Sequence, residues 1–213
     1  RSDPSALAPE RLLVFETRGS VERFAAAARR VGLELVDEEE IYDDDEDAHP
    51  VMYLMVPDAR ALRELTSLWE RWLRDELGTG ETPWRDLFYY LRDLRPWGPR
   101  DRVHEEDAHV LEIASQVDAA IVRIELELVY RRDKGTARHQ ETHLTQAVAA
   151  HGGSVVASYR NDEIAYQALL VDLPAQAVRQ IVSLSGGGLA ALEEVMYIRP
   201  QSVATAIEVS ATD

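Results

Sequence analysis

Hydrophobic and polar positions along this chain switch between two periods. Residues 12–16 (LLVFE) are a short apolar run and predict a strand. From Val21 the spacing becomes helical. Val21, Phe24, Ala28 and Val31 lie three or four apart, with Ser20 placed to cap the helix and Gly32 to end it. Strands are predicted within 33–42 and over 51–56, the latter (VMYLMV) apolar on both faces. Asp58 then starts a second helix, with Leu62, Leu65, Trp69 and Trp72 on one side. Thr82 and Pro83 start a third, with Trp84, Leu87, Phe88, Leu91 and Leu94 on one face. The run Arg95, Pro96, Trp97, Gly98, Pro99 reads as an irregular turn, followed by a short helix near 110–117.

The same order returns in the second half. In the strand 121–130 (IVRIELELVY), Ile124, Leu126, Leu128 and Tyr130 face one way, while Arg123, Glu125 and Glu127 face the other. A helix over 136–150 turns Leu144, Ala147 and Val148 inward and ends at His151, Gly152 and Gly153. Strands over 155–159 and 166–171 follow. Pro174 sits at the first turn of a helix striped by Val178, Ile181 and Val182. Three glycines at 186–188 interrupt the chain before a last strand at 195–198, which Pro200 stops.

The expected fold is α+β: two ferredoxin-like βαββαβ units with antiparallel sheets, joined by a helical bridge. The expected boundaries are 10–80 for the first unit, 81–117 for the bridge, 118–200 for the second unit and 201–213 for an extended tail. The closing strand of the first unit is not identified. Its strands are apolar on both faces and need cover on both, and the helix at 84–94 is the candidate for the second cover. The charged face of strand 121–130 is either solvated or reserved for a polar partner surface.

Charge and chemistry narrow the function. There are 39 Asp+Glu against 23 Lys+Arg, a net charge of −16. That disfavours nucleic acid and anionic membrane surfaces as partners. No apolar run approaches the ~18 residues of a membrane span, and residues 1–10 hold no secretory h-region. The absence of Cys removes disulfides, thiolate metal sites and Cys nucleophiles together. There is no G-x-S-x-G. His151 to Ser154 (HGGS) reads as a helix stop rather than an oxyanion loop. His139 and His143 have ligand spacing, but Gln140 stands where a zincin has Glu and no third ligand is near. The glycines at 186–188 lack the Lys-Ser/Thr of a phosphate loop. The acidic run 37–47 (DEEEIYDDDED) lacks EF-hand spacing and reads as a solvated loop. Trp69, Trp72, Trp84 and Phe88 lie at core spacing. No metal, cofactor or catalytic site is expected, and the chain reads as a binding, inhibitory or folding module.

Four segments carry a family likeness: LTSLWERW (65–72), PWRDLFYYLRDLRPWGPRDRV (83–103), YQALLVDLPAQAV (166–178) and VMYIRPQS (195–202). Together they resemble the long N-terminal region of a group of bacterial subtilisin-like serine proteases, the subtilase family, over roughly residues 12–202. In that group the region precedes a protease domain with a catalytic Asp, a His in H-G-T and a Ser in G-T-S-x-A. None of those motifs stands here, so no catalytic residue carries over.

The second unit also resembles the βαββαβ pro-regions of subtilisins, which act as intramolecular chaperones and inhibitors. The resemblance implies a subtilisin-like catalytic domain as partner, in the same polypeptide or as a cleaved product. It implies that the open sheet face docks on two protease helices, with Glu125 and Glu127 capping their N-termini, where free N–H groups favour carboxylates. It further implies that the tail extends into the substrate cleft. The residues concerned are Val203, Ala204, Thr205, Ala206, Ile207, Val209, Ser210, Ala211, Thr212 and Asp213. The expected location is cytoplasmic. Relatives of this group paired with an AAA-type ATPase suggest an alternative, a regulatory module with such an ATPase as partner. An independent ligand-binding or enzymatic ferredoxin-like protein is the third reading.

Overall fold

Residues 12–18, 21, 23–40, 51–183 and 188–201 are described by the computed structural model. The chain divides into two compact units, Arg1–Trp97 and Gly98–Asp213.

The first unit runs β1 (Leu13–Thr17), α1 (Phe24–Arg30), β2 (Leu33–Glu40), β3 (Val51–Pro57), α2 (Ala59–Leu73), a 3-10 turn (Thr79–Glu81), α3 (Thr82–Tyr90) and β4 (Leu91–Pro96). Its strands form one antiparallel sheet in the order β2-β3-β1-β4, with the first and third strands central. Local chemistry sets the helix ends. The Asp58 carboxylate accepts from the Ala61 N–H at 2.7 Å at the start of α2. After α1 the chain turns at Gly32 with φ +88, a conformation that a side chain would strain. Leu13 and Phe15 point into a core with Phe24, Leu65, Leu87 and Phe88. The aromatic rings meet there: Phe24 lies 5.4 Å from Trp84, and Trp69 lies 5.2 Å from Phe88, both edge-on.

Three expectations change in this unit. The helix expected to reach residue 94 ends at Tyr90, and Leu91–Pro96 is a strand. Leu91 and Leu94 satisfy helical spacing, but Leu94 instead pairs opposite Phe15 on the outer edge of β1. Pro96, lacking an N–H, is tolerated on an edge strand. The unit therefore closes its own sheet. Second, α3 does not cover the other sheet face; its Trp84 and Phe88 join α1 and α2 in one helical layer. Third, residues 37–40 of the acidic run belong to β2 and pair with β3 as far as Glu40 opposite Val51. Residues 41–50 and the expected cap Ser20 lie outside the described residues.

The second unit begins with α4 (Glu105–Ala114), followed by β5 (Ile121–Leu128), α5 (Lys134–Ala150), β6 (Ser154–Asn161), β7 (Tyr166–Pro174), α6 (Ala175–Val182), a 3-10 turn (Leu189–Ala191) and β8 (Val195–Pro200). The antiparallel order β6-β7-β5-β8 repeats that of the first unit. Both sheets therefore have the ferredoxin-like order, and the α+β class rests on that topology. The alternation in β5 does what its spacing predicts: Val122, Ile124, Leu126 and Leu128 are buried. They meet Leu144 and Val148 of α5 and Val178 and Ile181 of α6. Pro174 is the N-cap of α6.

The helix expected near 110–117 starts earlier. Glu105, Glu106 and Asp107 occupy its first turn, where carboxylates favour the helix N-terminus. Leu111 and Val103 enter the second core, while Val110 and Ile113 stay exposed. The segment expected as a bridge, 81–117, is thus divided. Its α3 and β4 complete the first unit, and its α4 belongs to the second.

The stretch before α4 seals the outer edge of β8. The Ile198 N–H donates to the Arg102 carbonyl at 2.7 Å. The buried Arg102 guanidinium donates back, through Nε to the Val195 carbonyl at 2.7 Å and through a second N–H to the Ala190 carbonyl. Burial holds the Arg102 pKa below the ordinary value.

Candidate functional site

The three described helices of the second unit pack against the face that holds Ile124 and Leu126. Among the described residues no helix of this unit covers the opposite face, and the charged positions of β5 lie on it. Strand register brings partners to each. Arg123 stands opposite Asp172, Glu125 between Leu170 and Arg199, and Glu127 between Ala168 and Tyr197.

These side chains form a cross-strand network. Arg199 pairs with Glu127 by a short charge-assisted contact and with Glu125 at 3.6 Å. Burial alone would lower the Arg199 pKa, but the Glu127 hydrogen bond and the pull of both carboxylates raise it. The Arg199 guanidinium also lies 4.6 Å from the centre of the Tyr197 ring, and His104 stacks on that ring at 5.2 Å. Tyr166 is hydrogen-bonded to Glu125; burial and this carboxylate together push its hydroxyl well above the ordinary range. Arg123 grips Asp172 with two bonds, 2.7 and 3.0 Å, which hold the Asp172 carboxyl below the usual carboxylate range.

The expected docking residues Glu125 and Glu127 therefore sit on the helix-free face, with 35% and 15% of their side chains exposed. They are already bonded rather than freely solvated. Arg199, Tyr166, Tyr197 and the Arg123–Asp172 pair are site members that single-strand patterning does not reveal. One signal was available: Tyr197 and Arg199 are two apart in the last strand, so they share a face, and a cation there complements two acids in β5.

The described chain ends still paired to this sheet. After β8 the Gln201 N–H donates to the Arg123 carbonyl at 3.2 Å, which carries the strand line along β5 to the last described residue. The tail residues Val203, Ala204, Thr205, Ala206, Ile207, Val209, Ser210, Ala211, Thr212 and Asp213 lie outside the described residues. At the other end of β5, Tyr130 donates to Asp162 at 2.9 Å, and Arg160 lies 4.5 Å over its ring. Arg160 also binds Asp162, Gln167 and the Arg131 carbonyl, which ties the β6–β7 turn to the end of β5.

Of the two histidines with ligand spacing, His143 meets Glu194 at 2.7 Å. His151, in the HGGS stretch, meets the Ala147 carbonyl at 2.8 Å at the end of α5, as a helix stop does. Among the described residues no three His, Asp or Glu side chains converge on a point that could hold a metal ion. No described helix is long and apolar enough to cross a membrane.

No protein-family model matches the chain, and no curated protein sequence matches it. Two solved structures align at 11% identity. One is the acetolactate synthase small subunit from Thermotoga maritima, with TM-score 0.25, covering 90% of this chain and 92% of that one. The other is the ligand-free regulatory subunit of aspartate kinase from Thermus thermophilus, with TM-score 0.23, covering 84% and 93%. At those scores neither carries an argument, and the fold rests on the strand order above.

Proposed function

We propose that this chain is a non-catalytic interaction module, the chaperoning and inhibitory pro-region of a subtilisin-like serine protease. The reading rests on the helix-free face of the second sheet. There Glu125 and Glu127 stand side by side, oriented by Arg199 and Tyr166 before any partner arrives. A carboxylate accepts more than one hydrogen bond, so each keeps acceptor capacity for the N–H groups of a partner helix. Orientation in advance reduces the ordering entropy lost on docking. The family likeness of segments 65–72, 83–103, 166–178 and 195–202 supports a subtilisin-like catalytic domain as the partner. The Gln201 N–H bond to the Arg123 carbonyl, which keeps the chain extended to residue 201, supports an extended continuation.

Such a module acts by binding the folded protease domain better than the unfolded chain, which stabilises the product of a slow, non-local folding reaction. The same contacts close the substrate cleft, and proteolytic removal opens it. The test is inhibition of the subtilisin-like catalytic domain encoded with this chain. The intact chain should inhibit it. Glu125→Gln with Glu127→Gln should raise the inhibition constant at least tenfold while the far-UV circular dichroism is unchanged. Deletion of 202–213 should turn tight inhibition into weak binding. Inhibition unaltered by the double substitution would sink the docking face; no inhibition by the intact chain would sink the protease reading.

A further inference from the structure

The longest uncharged stretch of this acidic chain spans a helix and the outer strand that follows it. Residues 142–159 (THLTQAVAAHGGSVVASY) contain no Asp, Glu, Lys or Arg, although 29% of the chain is charged. They make up the second half of α5, the turn after it and most of β6. Many of them are exposed, including Thr142, Thr145, Gln146, Ala149, Ser154, Ala157 and Ser158. Val156 and Tyr159 are large apolar residues left 45% and 58% exposed.

β6 is also the outer strand of its sheet, paired with β7 on one side. An outer strand presents unpaired N–H and C=O groups, and proteins commonly block such edges. The other three outer strands here are blocked. β2, in the equivalent position of the first unit, carries five carboxylates in eight residues (LELVDEEE). β4 carries Arg92, Asp93, Arg95 and Pro96. β8 is sealed by the Arg102 segment. β6 (SVVASYRN) has a single charge, Arg160, which is held by Asp162, Gln167 and the Arg131 carbonyl. Beyond a bulge at Val156, residues 157–161 pair in unbroken register with β7.

We infer that the β6 edge is the interface for a second copy of this chain, the two β6 strands pairing antiparallel so that the two four-stranded sheets run on as one. Charge selects this occupant. Two copies of net charge −16 repel over most of their surface, and here they meet without apposed carboxylates. With the twofold axis anywhere within 157–159, Arg160 of one copy stands opposite an uncharged residue of the other. The adjacent helix fits the same arrangement. His143, on one flank of α5, reaches Glu194 ahead of β8, on the opposite side of the sheet from β6. Thr142, Thr145 and Ala149 occupy the other flank, and their small side chains let two α5 helices approach. The inference is independent of the protease reading.

The test is molar mass by light scattering and sedimentation at 0.15 M salt, from 1 to 100 μM chain. Wild type should move toward twice 24.0 kDa, and more readily at 0.5 M salt as the mutual repulsion is screened. Ser158→Glu, or Ala149→Glu on the helix, places like charges across the twofold axis. Each should raise the dissociation constant at least tenfold with the urea midpoint at low concentration unchanged. Mixing Ser158→Glu with Ser158→Lys should restore association. A wild-type chain that stays monomeric to 100 μM overturns the inference, and so does a dimer indifferent to both glutamates.

Discussion

Arg102 shows how much a single side chain contributes to the second unit. It is buried to 3% exposure and donates to two carbonyls that belong to β8 and to the turn leading into it. Arg102→Met keeps most of the stem volume and removes both donations, leaving the Val195 and Ala190 carbonyls without those bonds in a dry setting. We expect a loss of about 2–3 kcal/mol of unfolding free energy, read as a lower urea midpoint with an unchanged slope. Arg102→Lys should rescue little, because one ammonium cannot reproduce the planar fork that reaches both carbonyls. At this scale the sequence was partly legible. The period of two placed Glu125 and Glu127 on one face of β5, and the structure puts them there. Their bond to Arg199 had one local signal, the Tyr197–Arg199 spacing, but its partner depends on which strand lies beside β5 and in what register. Arg102 was hidden for the same reason: its partners are 88 and 93 residues away.

Elements stand or fall by their junctions, and the α5–β6 junction is tightly packed. At Gly153 an added Cβ would lie 2.4 Å from a Leu173 methyl, 2.7 Å from the Asp172 carbonyl oxygen and 3.1 Å from a Val148 methyl. The carbonyl is backbone and cannot step aside. Gly153→Ala should therefore destabilise the unit by about 1–3 kcal/mol through overpacking, measured by thermal unfolding of the otherwise unchanged chain. The sequence marked this junction by its two glycines, because a helix end and a close approach both leave local signatures. Where locality failed, the elements were misplaced. Leu91 and Leu94 fit helical spacing after Leu87 and Phe88, yet they lie in β4, because the open edge of β1 offers pairing that periodicity within one segment cannot register. The exposed Val110 and Ile113 of α4 have the spacing of a core stripe without being one, and the acidic first turn at Glu105–Asp107 marks the true start of the helix.

For the whole molecule the question is where one cooperative unit ends and the next begins. The order of predicted elements puts a bridge over 81–117, because its helices fall outside both repeats. The cores divide the chain differently. One cluster extends through Leu94, and the other begins at Val103, with Leu111 of α4 fully buried in it. The second unit should therefore be a six-element fold with an added N-terminal helix rather than the βαββαβ unit alone. Two fragments separate these descriptions. Fragment 98–213 retains Val103, Leu111 and the Arg102 seal on β8, so it should unfold in a single cooperative urea transition. Fragment 118–213 keeps every strand of the sheet but exposes the surfaces that Val103 and Leu111 cover, at roughly 1.5–3 kcal/mol for each buried aliphatic side chain. It also frees the edge of β8 and the two carbonyls that Arg102 holds. Together these losses amount to a large part of the 5–15 kcal/mol that a domain usually has. Fragment 118–213 should thus be partly unfolded or aggregated at room temperature, with weak amide protection in β8. Equal stability of the two fragments would mean that α4 is an appendage and that the sheet with α5 and α6 is sufficient by itself.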